Sequence, residues 1–322
     1  MINDAGAAAG ADHHHGAETD RLAKLRRARW LPRHSYLSDR GRLIHGLTPP
    51  GGSVPCARTS DLTAEEVAEV TSLIADGRLS HRAVVMPERL RARSWRSVEE
   101  VLPALEEHLG YRAAGWKVGA ASMEVRRAES IPSPSPGRIY QHTVFATPAT
   151  IGPEFFINYR LCECEFALEL ATDFPPRDEP YSEIEAREGV RALLPVIEIG
   201  VSVFRDWYSL SGYFGGMYDN GGGAALVEGR RIHDWHSIDL SAANIDLYVN
   251  DSYVKSGQGA EAMGHPVTSF TWMLNWLRER GRTARAGEIV STGTCTAHCF
   301  VARGDRVSAD FGALGLVEVQ FA

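Results

Sequence analysis

A chain of 322 residues with 44% hydrophobic and 23% charged content has the make-up of an ordinary globular protein, long enough for one large domain or two of usual size. A formal net charge of −7 and a pI near 6.0 exclude nucleic acid as the main partner, because no basic excess exists to neutralise phosphates. No apolar run reaches the roughly 18 residues of a membrane span. The opening MINDAGAAAGADHHHGAETD lacks the basic and apolar segments of a secretory signal, and an odd set of cysteines (Cys56, Cys162, Cys164, Cys295, Cys299) is expected of reduced thiols in a cytoplasmic protein.

Residues 1–58 read as a small, polar, disordered tail, a basic helical extension at 21–33 and a loop rich in Gly, Pro and Ser at 46–55. A helical part follows over 59–110. Thr63 and Glu66 make a capping box for a helix within 59–78, with Val67, Val70 and Ile74 as its apolar stripe and Gly77 as its stop. SVEEVLPALEEHLG, 97–110, is a second helix. From residue 111 the pattern changes to strands separated by turn residues: GWKVGAAS, LCECEFALEL, RALLPVIEIGVSVF, NIDLYVNDSYVKSG, GEIVSTGTC, DRVSADFG and LGLVEVQF. One helix interrupts them at 265–281, opened by Pro266, closed by Gly281, with Phe270, Met273, Leu274 and Leu277 inward. The fold class expected is α+β: a mostly β domain over 111–322 behind a helical N-terminal part.

The stretch CECEFALEL, 162–170, carries the chemistry. Strand alternation puts Glu163, Glu165 and Glu169 on one face, and Cys162, Cys164, Phe166, Leu168 and Leu170 on the other. Glu is disfavoured in strands, and like charges about 7 Å apart repel unless something positive lies between them. A hard divalent cation would supply it, although a solvated acidic face accounts for this stretch taken alone. A third acid, Glu198, stands in the nearly all-apolar run LLPVIEIGVSVF, and Lys117 in GWKVG is a matching anomaly. A carboxylate in such a run is costly to bury without a partner. The two form either a buried ion pair or part of a site for an anionic substrate.

In order, GWKVGAAS, CECEF, LPVIEIG, DNGGG, SGQGAEAMGHP, GEIVSTGTCTA and GDRVSADFGALGLVEVQF resemble the fumarylacetoacetate hydrolase superfamily, within it the 2-keto-4-pentenoate hydratase and 4-oxalocrotonate decarboxylase branch. The resemblance runs from about residue 60 to the end. It implies a magnesium or manganese ion on Glu163, Glu165 and Glu198, with Lys117 at the substrate carboxylate or in proton transfer and Ser122 beside the substrate. It also implies a β-rich, rolled-sheet fold (fumarylacetoacetate hydrolase C-terminal-like) with flanking helices, a homo-oligomer and a small anionic 2-oxo acid as substrate. Two departures stand out. Gln141 and His142 occupy positions where acids are expected, with His142 as a replacement base; and the strand of Glu198 continues with Val201, Ser202 and Val203 rather than Asp-Ser-Arg.

The implied reaction is hydration of a 2-hydroxydienoate or 2-oxo acid through a metal-chelated enolate. The alternatives are decarboxylation, C–C bond hydrolysis, or a repurposed non-catalytic member that binds a metal and a small acid. The glycine-rich stretch 212–223 reads as a mobile loop over the pocket, lined by Asp219 and Asn220. SGQGAEA is a tight turn rather than a dinucleotide loop, and the cysteines near His298 have too loose a spacing for zinc and read as packing.

Overall fold

The structure is a computed structural model that describes Ser35–Leu37, Leu43–His45 and residues 62–322 other than 92–93, 130, 132 and 206–215. The tail, the basic segment 21–33, the loop at 46–55, Cys56 and residues 212–215 of the glycine-rich stretch therefore lie outside the described residues. Contacts divide the chain into Met1–Gly52 and Ser53–Ala322. In the first unit, β1 (Ser35–Leu37) and β2 (Leu43–His45) pair antiparallel. The second unit holds everything below.

Helix α1 (Ala64–Leu79) starts where the capping box places it: Glu66 N–H donates to Thr63 Oγ1 at 3.2 Å, and Thr63 N–H donates to Glu66 Oε2 at 2.9 Å. Gly77 does not end it. The helix runs on through Arg78 and Leu79, and Gly77 is there because a Cβ would lie 3.1 Å from both Val84 and the Arg82 carbonyl. Helix α2 (Trp95–Leu109) packs on α1, its face completed by Val98, Val101 and Leu105 against Val70 and Ile74.

The large sheet runs β4-β3-β12-β7-β8-β9-β5, with β13 (Cys299–Phe300) paired to β7 as an eighth strand. Its members are β3 (Ala113–Gly119), β4 (Ser135–Tyr140), β5 (Val144–Ala146), β7 (Leu161–Leu170), β8 (Val190–Gly200), β9 (Gly223–Glu228) and β12 (Ile289–Ser291). The short helix α3 (Met123–Glu129) follows β3, and α4 (Glu183–Glu188) precedes β8. The two ends of the sheet, β4 and β5, are joined by a single turn, and β4 also lies against β9, so the sheet rolls back on itself. The second sheet, β11-β10-β14-β15-β6, comprises β6 (Ala149–Ile151), β10 (Asn244–Val249), β11 (Ser252–Gln258), β14 (Arg306–Asp310) and β15 (Leu316–Phe321).

Residue alternation decides what each face of the roll does. Cys162, Cys164, Phe166, Leu168 and Leu170 of β7 and Ile197 and Ile199 of β8 face the main core. There they meet Phe270, Met273, Leu274 and Leu277 of helix α5 (Pro266–Glu279) and the inner residues of the second sheet. Full burial of each such aliphatic side chain contributes about 1.5–3 kcal/mol. The opposite parity lines the inside of the roll, where Ala167, Leu194, Val196, Leu226, Ile139 and Ile289 make a small apolar plug. The acids stand on this inner parity. Among the described residues, no helix is long and apolar enough to cross a membrane.

Candidate metal centre

The antiparallel register of β7 and β8 sets Glu163 directly opposite Glu198, and Glu165 opposite Val196. Three carboxylates separated by 35 positions in the chain thus converge: one oxygen of each of Glu163, Glu165 and Glu198 lies within 4.8 Å of the others. One hard cation can bridge that span, at roughly 2.0–2.6 Å per bond. Glu165 is 1% exposed and Glu198 4%, and the described chain places one cation in the interior beside them. Lys117 of β3 donates from Nζ to Glu198 Oε1 in a short buried ion pair, and to the Gly221 carbonyl at 3.2 Å. The described interior gathers three carboxylates and one ammonium, with His298 at the edge beside Glu163. This donor set, all oxygen and mostly dry, fits a divalent hard ion.

The protonation pattern follows the same imbalance. Burial, then repulsion from Glu198 and Glu163, pushes Glu165 well above the usual carboxylate value. Burial also raises Glu198, with Glu163 adding to it against the pull of Lys117. Glu163 goes the other way: burial works against its charge, but His298 and Lys117 outweigh that and lower it. Lys117 is raised, since burial disfavours the ammonium less than Glu198 and Glu163 favour it. Burial and mutual repulsion thus disfavour the charged forms of Glu165 and Glu198, a cost that a bound cation would offset.

Local sequence explains how each group is held. Ser291 Oγ and the Gly293 N–H, both at the end of β12, donate to Glu165 Oε2 at 2.5 and 2.9 Å and fix its orientation. His298, on the loop into β13, places Nε2 3.3 Å from Glu163 Oε1. Lys117 threads a channel of glycines. A Cβ at Gly137 would come within 2.8 Å of Lys117 Cγ, and one at Gly223 within 3.1 Å of its Cδ. The stem therefore reaches the acids only because those positions have no side chain.

Residues 125–322 match the model of the fumarylacetoacetate (FAA) hydrolase C-terminal domain. The chain belongs to the fumarylacetoacetate hydrolase family. It is 28% identical to the 2-keto-4-pentenoate hydratase 1 of Dechloromonas aromatica (strain RCB) over 66% of this chain and 79% of that one. A shorter stretch, 32% of this chain and 39% of the relative, is 33% identical to the 4-oxalocrotonate decarboxylase of Pseudomonas putida. Among solved structures, the 4-oxalocrotonate decarboxylase of Pseudomonas putida G7 complexed with magnesium and adipate shares the fold. It has a TM-score of 0.73, 21% identity, and coverage of 81% of this chain and 99% of that one. The α+β class expected from the residue pattern and the rolled sheet implied by the resemblance are the architecture of this family member.

Against the family frame, the residues singled out in the sequence divide into groups. Lys117, Glu163, Glu165 and Glu198 come together. Ser122 is buried in the turn between β3 and α3, next to Ala121, whose Cβ lies beneath Gly293. Asp219 and Asn220 are buried in the turn before β9 and hold backbone. The Asp219 carboxylate accepts from Arg78 Nε and the Val203 N–H, both at 2.7 Å. Asn220 clamps Arg138, accepting from its N–H at 2.5 Å and donating to its carbonyl at 2.9 Å. Gln141 and His142 stand exposed on the turn between β4 and β5, and the His142 ring packs 4.2 Å from Tyr111 rather than on the acids. Glu169 shares the parity of the metal pair but sits at the other end of the roll, ion-paired to Arg231 at 2.7 Å and Arg191 at 3.3 Å. Ser291 and Gly293 were not singled out in the sequence, and His298 was weighed only with the nearby cysteines, since small residues and a histidine in a loop carry no periodic signal.

Proposed function

We propose that this family member is a divalent-metal-dependent lyase of the hydratase type, acting on a small 2-oxo acid or its 2-hydroxydienoate form. The observation that carries the reading is the convergence of Glu163, Glu165 and Glu198 with Lys117 as the buried cation beside them among the described residues. The hydratase relatives, matched over most of their length, support it. Magnesium or manganese is the expected ion, a choice supported by the oxygen-only donor set.

A divalent ion held by the three glutamates would supply a Lewis acid able to draw charge from a substrate carboxylate and its neighbouring 2-oxygen. The chain does the rest. Ser291 and Gly293 keep Glu165 in one orientation by donating to its Oε2. Burial and mutual repulsion raise Glu165 and Glu198, so a cation held there would favour their charged forms. Lys117 commits two of its three N–H donors to Glu198 and Gly221, which leaves one for an anionic oxygen of the substrate. The buried apolar cluster of Ala167, Leu194, Val196 and Leu226 beside the acids lowers the local polarity and strengthens these charges.

Turnover of a panel of 2-oxo acids and 2-hydroxydienoates, with magnesium, manganese or chelator, tests the reading. Metal-dependent hydration that keeps every substrate carbon is the expected result. Metal-dependent release of carbon dioxide would move the assignment to a decarboxylase, the reading favoured by the stretch at 33% identity. No turnover with any metal, on protein that binds the metal, would refute both.

A further inference from the structure

The glycine-rich turn that grips Lys117 is not self-supporting. Asp219, Asn220, Gly221, Gly222 and Gly223 have a backbone that turns sharply, with φ of +56° at Asn220, +60° at Gly221 and +76° at Gly222. Such a segment needs outside anchors to hold one conformation. Asn220 supplies one by pairing with both backbone groups of Arg138 on β4. The other comes from the helical N-terminal part. Arg78, in the last turn of α1, donates from Nε to Asp219 Oδ1 at 2.7 Å, from Nη2 to the Asp219 carbonyl at 2.8 Å, and from Nη1 to the Gly223 carbonyl at 3.2 Å. One guanidinium thus spans the turn from its first residue to its last, and the carbonyl between them, that of Gly221, takes the Lys117 hydrogen bond. The pair is nearly dry, with side-chain exposures of 15% for Arg78 and 0% for Asp219. Asp219 extends the clamp to the end of the strand of Glu198: its Oδ2 accepts from the Val203 N–H, and the Val201 N–H donates to the Gly222 carbonyl at 2.7 Å.

We propose that Arg78 is a positioning residue that sets where the Lys117 ammonium stands relative to the metal-binding glutamates, so that the helical part preceding the matched family segment completes the active site. The proposal rests on the role given to Lys117 above. Only a fork of several donors can hold both ends of the turn at once; a lysine in its place keeps the charge but reaches fewer acceptors. Arg78 touches none of the three glutamates among the contacts described. Its loss should therefore misplace the ammonium and leave the carboxylates where they are.

The test compares Arg78→Met, Arg78→Lys and Asp219→Asn with Lys117→Met and wild type. Manganese affinity and oxalate affinity of the manganese-loaded protein are read by calorimetry, and kcat and KM on the substrate found in the panel. For Arg78→Met, the expectation is manganese affinity within about threefold of wild type and oxalate binding weakened by at least about tenfold. kcat should fall by up to about 100-fold, the scale of an ångström-sized misplacement. Arg78→Lys should fold like wild type and lie between the two. Should Arg78→Met fail to fold, Arg78→Lys decides, because lost thermal stability alone does not change oxalate affinity measured well below the melting temperature. Wild-type kcat and oxalate affinity in folded Arg78→Lys and Asp219→Asn, with Lys117→Met inactive, would overturn the positioning role and leave the Lys117 reading intact. An active Lys117→Met would instead remove the reading beneath it.

Discussion

Replacing Lys117 by Met removes one buried positive charge while keeping the unbranched stem that the channel of Gly137, Gly221 and Gly223 accommodates. The two properties of the site should then move in opposite directions. An ammonium about 4 Å from a substrate anion, at an effective dielectric of about 20, is worth about 4 kcal/mol. That corresponds to a loss of about 10³-fold in kcat/KM, at about 1.4 kcal/mol per factor of ten. The same ammonium repels a divalent ion in the triad, so manganese should bind to the variant as tightly as to wild type, or more tightly. The metal-free variant should also unfold more easily at neutral pH, since Glu198 loses its short ion pair. Steady-state kinetics, calorimetry with manganese and thermal melts read the three effects. A kcat/KM within tenfold of wild type would refute the assignment of Lys117 as the substrate's counter-charge. Weaker manganese binding would refute the electrostatic account of the cluster.

Glu165→Gln should keep the bonds from Ser291 and Gly293 through its remaining side-chain oxygen yet lose a ligand charge. Its manganese affinity should drop by more than the roughly 10–100-fold typical of outer-sphere changes, and an unchanged binding isotherm would count against the triad. His298→Ala removes the group beside Glu163 and should weaken manganese about tenfold. His142→Ala, on an exposed turn against Tyr111, should leave both metal binding and turnover within about twofold; a large loss of turnover in this variant would restore His142 as a base. Metal binding should also depend on pH. Glu165 and Glu198 have folded-state values raised above their unfolded ones, so their contribution to the metal-free protein's stability is present below the ordinary carboxylate range and lost as pH rises through the raised values, whereas lowered Glu163 works the other way. The rise in melting temperature given by manganese should therefore grow as pH rises above the ordinary carboxylate range; a pH-independent shift would contradict the raised Glu165 and Glu198.

What could be read along the chain was whatever depends on near neighbours or on misplaced chemistry. The capping box at Thr63 and Glu66 is a contact across three residues, and it forms as read. The alternation in LCECEFALEL is a property of strand geometry, and it separates the acid face from the core face as expected. Glu198 and Lys117 stood out because charge inside an apolar run needs a partner, and they are each other's partner. Motif order was enough to identify the family, and with it the sheet architecture.

Other features depend on which strands lie side by side. Glu163, Glu165 and Glu169 look alike in sequence, yet two face an incipient cation site and the third faces Arg191 and Arg231, brought there by β8 and by the loop after β9. Asp219 and Asn220 look like pocket residues in a glycine-rich loop, but their polar atoms are used on Arg78, Val203 and Arg138, all remote in the chain. Gly77 looks like a helix stop and is instead a point of close packing one residue before the arginine that holds the Lys117 turn. Local pattern specifies which face a side chain takes. Register, sheet closure and long-range hydrogen bonds specify what it meets there, because each side-chain partner is set by pairings tens to hundreds of residues apart.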